Sequence, residues 1–510
     1  MVRMTQGCEF GNAELARLSE QLDELKGYVR GGVEGARPVH EVERGIWERV
    51  LRLGREALGL YFSLQGSGDL GECLNLPDGR EARRLAGRYT RQYRSIFGEF
   101  TLSRVAYGSR AGQKLEWVPL DARLQFPQSV YSYVLQDWDQ QLSVENPYGQ
   151  VNRVLSKMLG FEQPLDSIER MGIEAAETVP AYREAKPLPQ PSEEGEYRVI
   201  SADGKGVPIC RRVEQPAIVD YRRSRGPKPD RKKIAIVGSV YTVDAVQRSA
   251  EEVVESLFRR PHERSEVPRT PRAKPLHKQL RAALTREHEG VVVNATEEII
   301  GWLATQARQR TPKGDQRTVV IMDGQASLWE AIDRHIPSED RIEILDLLHV
   351  TPRLWEAAHL FHPEGSEAAL EFVRDRVLRI LQGEAGTVIG GLRQMGTKAA
   401  FKGTRAERLE KICRYLKKNQ SRMRYDIYLA AGYPIASGVI EGACQHFVKD
   451  RMERAGMRWT VHRAQAMLDL RSTYLNGDWD EFTAFRIKRE TERLYPHRDI
   501  LDTTPWAMAA

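Results

Sequence analysis

The sequence predicts a mixed α/β fold that follows a mainly helical N-terminal region containing a β-hairpin. Helical periodicity dominates residues 12–66 and 129–179, whereas apolar strand-like runs alternate with helical segments between 196 and 361. A hairpin-like pair of runs opens this second region, so its sheet should contain both antiparallel and parallel strands. A chain of 510 residues is also long enough for more than one domain.

The chain is expected to divide into consecutive segments around one linker. Residues 180–195, VPAYREAKPLPQPSEE, contain four prolines and many charges, which is typical of a linker. The predicted segments are an N-terminal helical region (1–90), a hairpin with a helix-turn-helix-like region (91–180), the linker (181–195), the first part of the α/β domain (196–350), a helical insertion (351–435) and the C-terminal helices of the α/β domain (436–510).

Local patterns assign the elements of the N-terminal half. ELARLSEQLDELKGYV and VERGIWERVLRLGREALGLYF place apolar residues three and four positions apart, which predicts an antiparallel helical pair. Alternation over residues 95–118 predicts the β-hairpin. Two helices with a short break between 146 and 176 indicate either a DNA-binding helix-turn-helix or an ordinary helical hairpin.

The C-terminal half reads as strands followed by helices. EYRVISADGKGVPICRRV predicts a strand, a glycine-containing turn and a second strand, and KKIAIVGSVYTVDAV predicts a third. Helices are expected at 276–288 and 294–309. RTVVIMDGQ and RIEILDLLHV each predict a strand followed by a helix. A long helical stretch at 366–430, a helix from Ser437 and a final helical pair between 461 and 492 complete the chain.

Composition narrows the class of protein. The apolar runs are too short for a membrane span, and the first thirty residues lack a signal-peptide core, so we expect a cytoplasmic protein without a membrane partner. Five scattered cysteines without a CxxC pair argue against a disulfide framework or a cysteine-rich zinc module. The net charge of +6 is mild, but basic blocks at 222–233 and 258–278 suit either phosphate binding or solvated loops.

Two aspartates follow apolar, strand-like runs. Asp203 follows YRVISA and precedes Gly204–Lys205–Gly206, and Asp323 follows TVVIM and precedes Gly324. Ligand sites of open α/β sheets lie at the carboxyl ends of strands, so neighbouring strands would bring both carboxylates to one crevice. A bound cation would remove their mutual repulsion. Asp before Gly is also common in ordinary turns.

A third acid, Glu441, lies one turn into a predicted helix that starts near Ser437. Gly438 and Gly442 leave little side-chain bulk beside it, which would let a metal or a sheet edge approach. Read alone, Glu441 also fits an amphipathic surface helix with an acid near its N-terminus. Taken together, the three carboxylates are suited to two Mg²⁺ (or Mn²⁺) ions per active site, which is the arrangement that cuts and joins phosphodiesters.

The motifs SADGKG, VVIMDG, ILDLLHV and SGVIEGACQHFVKDRMERAGMRW occur in this order, and with them the chain resembles the DDE transposases of bacterial insertion sequences, most closely the ISKra type. The resemblance covers about residues 90–475. It implies a ribonuclease-H-like catalytic domain with a helical insertion, in which Asp203, Asp323 and Glu441 are the catalytic acids. It also implies a homodimer or larger synaptic assembly on double-stranded DNA.

The segment Asp346-Leu347-Leu348-His349 resembles the [C/D]xxH element of several DDE families. By this resemblance His349 would lie at the active site, where it could bond a base, a phosphate or a carboxylate; the alternative is a capping or packing histidine. Family members often carry closely spaced, zinc-binding cysteines after the hairpin. The corresponding stretch YGSRAGQKLEWVPLD contains no cysteine, so we expect no zinc.

Cations and one aromatic residue near these motifs are the predicted DNA contacts. A helix with a carboxylate at its start and cations further along would suit DNA running beside a metal-bound phosphate. Trp459 could stack on an unpaired base, or pack in the core. The predicted DNA-binding residues are Lys205, Lys449, Arg451, Arg454, Arg458 and Trp459. Two other functions fit the same residues: a non-catalytic DNA-binding protein derived from a transposase, and a metal-dependent nuclease that cuts without joining.

Overall fold

The computed structural model describes residues 5–77, 79–108, 117–210, 232–259, 274–454, 456–503 and 506. Its contacts divide the chain into two compact units, one formed by Met1–Arg183 with Asp478–Ala510 and the other by Glu184–Gly477. Most of both predicted basic blocks, residues 222–231 and 260–273, lies outside the described residues. Within the described parts, no helix combines the length and apolar character that a membrane crossing requires.

The first unit begins with a long helical pair. Helices α1 and α2 pack side by side, as the periodicity predicted. The β-hairpin starts earlier than expected, since β3 pairs with β4 from Tyr89 to Arg104 and the chain reverses before Gly98, whose φ of 110° favours glycine. The elements are α1 (Thr5–Glu34), α2 (Val39–Leu64), β1 (Cys73–Asn75), β2 (Glu81–Arg84), β3 (Tyr89–Ser95), β4 (Gly98–Arg104), β5 (Tyr107–Gly108), α3 (Pro119–Leu124), α4 (Tyr133–Ser143), α5 (Tyr148–Leu159), α6 (Leu165–Ala176) and α7 (Val179–Ala185).

The core beneath α4–α6 contains one buried carboxyl group. Asp139 is fully buried, and one of its oxygens accepts a hydrogen bond from Gln163 Nε2 at 3.0 Å while the other has no partner among the described residues. Burial raises the pKa of Asp139 to about 7, and the Gln163 bond offsets this only in part. The native state therefore binds this proton more tightly than the unfolded chain does.

We expect Asp139→Asn to stabilise the first unit above pH 7. The carboxyl of the unfolded chain ionises near pH 4, whereas the native carboxyl keeps its proton up to about pH 7, so wild-type stability falls over that window and stays reduced above it. At pH 8 the variant should gain up to about 4 kcal/mol in free energy of unfolding, since each pKa unit is worth about 1.4 kcal/mol. Hydrogen exchange of the α4–α6 segments within the whole chain, followed at increasing urea concentration, gives their unfolding midpoint and would measure this change in stability. A variant less stable than wild type at pH 8 would contradict the raised pKa.

The second unit is built on a mixed five-stranded sheet with the strand order β12-β11-β6-β7-β8. Strands β6, β7 and β8 pair antiparallel, whereas β11 runs parallel to β6 and β12 parallel to β11. The strands are β6 (Tyr197–Pro208), β7 (Lys232–Val243), β8 (Leu276–Leu284), β9 (Arg286–His288), β10 (Val291–Val293), β11 (Thr318–Met322) and β12 (Arg341–Leu345), with β9 and β10 forming a separate pair. The mixed α/β class predicted from the sequence is confirmed.

Helices cover both faces of this sheet. Buried residues of α9 and α10 pack against one face beside Ile200 and Ala202, and those of α11–α15 pack against the other beside Val199. The helices are α8 (Ala250–Phe258), α9 (Ala295–Gln309), α10 (Ala326–His335), α11 (Leu347–Phe361), α12 (Glu367–Leu381), α13 (Ala385–Lys398), α14 (Gly403–Lys418), α15 (Tyr425–Ala430), α16 (Gly438–Ala443), α17 (Asp450–Met452) and α18 (Val461–Leu475), with a π-helix at Cys444–Lys449 and 3₁₀ turns at Pro191–Glu193, Ser338–Asp340 and Gln420–Arg422.

Two elements of the second unit differ from the prediction. The expected helix at 276–288 is wrong, because Leu276–Leu284 forms the strand β8. Its Leu, Lys, Gln, Arg and Ala residues favour a helix locally, but pairing with β7 satisfies the backbone and buries Ala282–Leu284. The expected turn at Gly204–Lys205–Gly206 is also wrong, since β6 continues through it to Pro208 along β7.

The C-terminal segment does not follow its predicted assignment. Residues 436–510 were expected to continue the α/β domain, but Asp478–Ala510 belongs to the first unit. This part contains α19 (Trp479–Leu494) and α20 (Ile500–Thr503). Trp479 Nε1 donates to Asp137 on α4 at 2.8 Å, and Ile500 joins the core around Tyr107. Apolar anchors distant in sequence therefore decide which unit holds this segment.

Candidate functional site

Asp203 lies on β6, and Asp323 directly follows the neighbouring parallel strand β11. The pairing of β11 with β6 advances one residue at a time from Thr318 opposite Arg198 to Val320 opposite Ile200. Extended by three residues, this register would set Asp323 opposite Asp203, and the charge of Asp203 does raise the pKa of Asp323, as expected of close neighbours. Because side chains alternate along a strand, Asp203 is on the same face as Val199, the face covered by α11–α15. The two carboxylates predicted to share a crevice are therefore brought together.

Short hydrogen bonds hold both carboxylates in place. Asp203 accepts from its neighbour Gly204 N at 2.6 Å and from Cys444 Sγ at 3.3 Å. Asp323 accepts from Gln325 N at 2.9 Å, and its backbone carbonyl accepts from the buried Trp329 Nε1 at 2.7 Å. No ion pair to Lys or Arg satisfies either carboxylate among the described residues. The negative charge of the pair is thus left largely uncompensated.

The surroundings of Asp323 disfavour its charged form. Burial raises the pKa of Asp323, and the negative charges of Asp203 and Asp346 raise it further. The Gln325 N–H and the nearby His349 lower it in part. A cation between the two aspartates would remove this repulsion, so the donor set fits a hard divalent metal.

Glu441 faces the same region from α16. It lines an open cleft of about 510 Å³ together with Asp203, Lys205 and His349. A Cβ added at Gly438 or Gly442, which also line this cleft, would meet no atom within 4 Å. The predicted lack of bulk beside Glu441 therefore leaves open space on its side of the cleft.

The acids do not form a closed metal cage by themselves. Among the residues that the structure describes, no group of three His, Cys, Asp or Glu side chains is already arranged to hold a metal ion. Asp203 and Glu441 line the open cleft, whereas Asp323, which is close enough for its pKa to be raised by the charge of Asp203, does not line it. All three donors are carboxylate oxygens, the ligand type that Mg²⁺ and Mn²⁺ prefer.

His349 does not end a strand as predicted. Strand β12 stops at Leu345, Asp346 is the N-cap of α11, and His349 lies in the first turn of that helix. The cap forms because the Asp346 carboxylate accepts from Leu348 N at 2.9 Å. His349 is half-buried and lines the cleft, so the helix rather than the strand brings its imidazole to the acids.

Two predicted DNA contacts are corrected by their burial. Arg451 is 1% exposed, and its guanidinium lies 4.9 Å from the centre of the Trp459 ring. Trp459 is 5% exposed, and its Nε1 donates to Met452 O at 3.0 Å. Neither side chain is available to a phosphate or a base. Arg451 follows the buried Phe447 by four residues, so the two lie on the same side of the helix. This spacing in the sequence already indicated that Arg451 would be buried.

The other predicted cations remain accessible. Lys449, Arg454 and Arg458 are exposed, and Lys205 is half-buried where it lines the cleft. The single basic helix expected after Ser437 forms as a continuous run of α16, the π-helix and α17, but it ends at Met452. Arg454 and Arg458 therefore follow the helix in a connecting segment, which returns to pair with the end of β6 through Trp459.

Sequence reasoning missed residues that support the site. Tyr415 of α14 packs so closely on Gly324 that a Cβ there would lie 2.4 Å from its ring, so the Asp-Gly pair needs glycine for this approach. Cys444, beside Asp203, gave no signal in the sequence. Asp346 was noted only through the motif containing His349, although an Asp between a buried strand and a helix is a recognisable N-cap.

Comparison with known proteins does not identify a family for this chain. No family model matches the sequence, and no curated protein matches it.

Proposed function

We propose that this chain is a DDE-type DNA transposase, similar to those of ISKra-type insertion sequences. The observation that carries the proposal is the placement of Asp203 on β6 and of Asp323 directly after the adjacent parallel strand β11, with Glu441 lining the cleft that also contains Asp203. These acids belong to motifs that occur in the order found in that family. Three acids in ordered motifs from distant parts of the chain are more specific than any single Asp-Gly turn.

We further propose that the second unit is ribonuclease-H-like with a helical insertion. Support comes from its mixed sheet, with two acids at the neighbouring strands β6 and β11. Helices α12–α15 lie between the second acid, Asp323, and the third, Glu441, as an insertion before the last acid requires. Their apolar residues join the core against the sheet face of Val199, so the insertion is packed on the site-bearing face.

The residues suit metal-dependent phosphoryl transfer on DNA. Asp203, Asp323 and Glu441 would hold two Mg²⁺ or Mn²⁺ ions, which when bound would activate the attacking oxygen and stabilise the leaving one. Lys205 lies on the cleft wall, where its ammonium group would attract a phosphate. His349 would orient a nearby carboxylate or phosphate through its imidazole. The ionised form of Asp323, which its surroundings disfavour, is the form that binds a cation.

Double-stranded DNA is the proposed partner. The exposed Lys449, Arg454 and Arg458 follow Glu441 in the chain and would extend phosphate contacts beyond the cleft. Recognition of element ends by the first unit, and a homodimer or larger assembly that holds two ends, are proposed from the resemblance.

Joining of DNA ends is the test that separates the candidate functions. The purified chain is incubated with Mg²⁺, target DNA and the DNA that flanks its reading frame, with and without a chelator. We expect chelator-sensitive joined products. Cuts without joining would indicate a nuclease, and binding without cutting would indicate a non-catalytic derivative; either result would overturn the transposase proposal.

A further inference from the structure

Asp346 makes buried hydrogen bonds that the capping of α11 does not require. The residue is 1% exposed, and one carboxylate oxygen accepts from Leu348 N, which caps α11. The other oxygen accepts from Ser437 N at 3.3 Å and from Ser437 Oγ in a short hydrogen bond. Ser437 is itself fully buried, so this contact between distant parts of the chain is shielded from water.

Backbone bonds extend the same junction to the second acid. Asp346 N donates to Met322 O at 2.9 Å, and Met322 immediately precedes Asp323. Leu347 N donates to Ile435 O at 3.1 Å, just before Ser437. One residue therefore connects the end of β11, the start of α11 and the start of α16. These three segments carry Asp323, His349 and Glu441.

The start of α16 has no side-chain cap of its own. Helical backbone continues without a break from α16 through the π-helix into α17, so this helical segment runs from Gly438 to Met452. Ser437 occupies its N-cap position, yet its side chain makes no capping bond to the helix. The hydroxyl is directed to Asp346 instead, so the residue that would normally stabilise the helix start fixes its position against the sheet.

We propose that the Asp346–Ser437 pair is a positioning device that holds the Glu441 helix in place opposite Asp203 and Asp323. Neither residue is expected to touch the DNA or a metal. The consequence for metal binding rests on the proposed function, whereas the anchoring of α16 does not. Asp346 thereby acquires a role distinct from that of His349 in the same motif.

Ser437→Ala tests the anchoring without changing any charge. We expect amide hydrogen exchange across residues 438–448 to become at least about tenfold faster, because a bond to a charged group is lost. The matched control is Ser366→Ala, which removes the serine N-cap of α12 in the same unit. It should leave exchange at 438–448 unchanged.

Asp346→Asn provides a second route to the same result. The amide keeps one oxygen for Leu348 N but places an N–H₂ group against the Ser437 N–H, where two donors cannot bond. Exchange at 438–448 should again accelerate. Unchanged exchange in both variants would overturn the positioning role.

Metal binding gives a readout that does not need DNA cleavage. Mn²⁺ titration followed by electron paramagnetic resonance should show affinity weakened about tenfold or more in Ser437→Ala, but not in Ser366→Ala. Faster exchange with unchanged Mn²⁺ affinity would overturn the role in positioning Glu441. If wild type binds no Mn²⁺ and cuts no DNA, the proposed function fails, while the exchange experiment still decides the anchoring.

Discussion

Asp323→Asn is expected to abolish metal-dependent cleavage and joining while leaving the fold intact. Asparagine keeps the oxygen that accepts from Gln325 N but removes the charge that a cation requires. Loss of metal-based stabilisation worth several kcal/mol corresponds to about a 10³-fold or greater fall in rate. Cleavage and strand-transfer rates at saturating Mg²⁺ would measure this, with DNA binding followed separately by its salt dependence.

The same substitution should not lower stability in the absence of metal. Burial and the charges of Asp203 and Asp346 raise the pKa of Asp323, so its ionised form opposes folding at neutral pH. A neutral amide removes that cost, and the melting temperature should stay equal or rise. Asp375→Asn, on the exposed surface of α12, is the control and should retain full activity. Full activity of the Asp323 variant would remove this residue from the site.

Glu194→Gln is expected to destabilise the second unit more than any surface substitution. Both oxygens of Glu194 accept from Arg310 at 2.6 Å, and the two side chains are at most 1% exposed. Burial alone would raise the pKa of Glu194, but the Arg310 and Thr242 hydrogen bonds outweigh it and lower the pKa. The amide would leave Arg310 as an unpaired buried cation, which costs about 3–5 kcal/mol.

A surface pair of the same geometry provides the control. Arg393 contacts Glu410 through two nitrogens at 3.0 and 2.9 Å, but both side chains are more than 40% exposed. Glu410→Gln should therefore cost at most about 1 kcal/mol. The two variants are compared by the hydrogen exchange of β6–β8 within the whole chain at increasing urea concentration, which gives the unfolding midpoint of the second unit. Equal small losses would contradict the structural role of the buried pair.

This buried pair also bears on the predicted linker. Its prolines at 187, 189 and 191 indicated an exposed connection, and the chain does pass between units at Arg183 and Glu184. Glu194, predicted as the second-last linker residue, is nevertheless completely buried. The composition of a segment indicates whether it can form an apolar core of its own. It cannot reveal that one charged residue, such as Glu194, forms a buried ion pair with a residue distant in sequence.

Part of the candidate site followed from the sequence. The apolar run before Asp323 predicted β11 to within its observed bounds, and the apolar run before Asp203 predicted the start of β6. Such runs are readable because strands buried on both faces need continuous apolar residues. The spacing around Glu441 likewise predicted a helix with this acid outside its buried stripe.

Other features depended on partners that no local pattern reveals. Gly204–Lys205–Gly206 continues β6 only because β7 lies alongside it, and β8 is a strand only because β7 offers a free edge. The burial of Arg451 depends on Trp459, whose own position depends on the end of β6. The Asp346–Ser437 contact joins residues that are 91 positions apart.

By itself the sequence determined the mixed α/β class and the long N-terminal helical pair, and it singled out three candidate acids. Periodicity and apolar runs encode these features, because they depend only on which side of an element is buried. The tertiary structure alone decided that Asp323 follows the strand next to the one that carries Asp203, which cations face solvent and what anchors the start of the Glu441 helix. These features depend on pairing and packing between distant segments, whose energies arise only once the chain has folded.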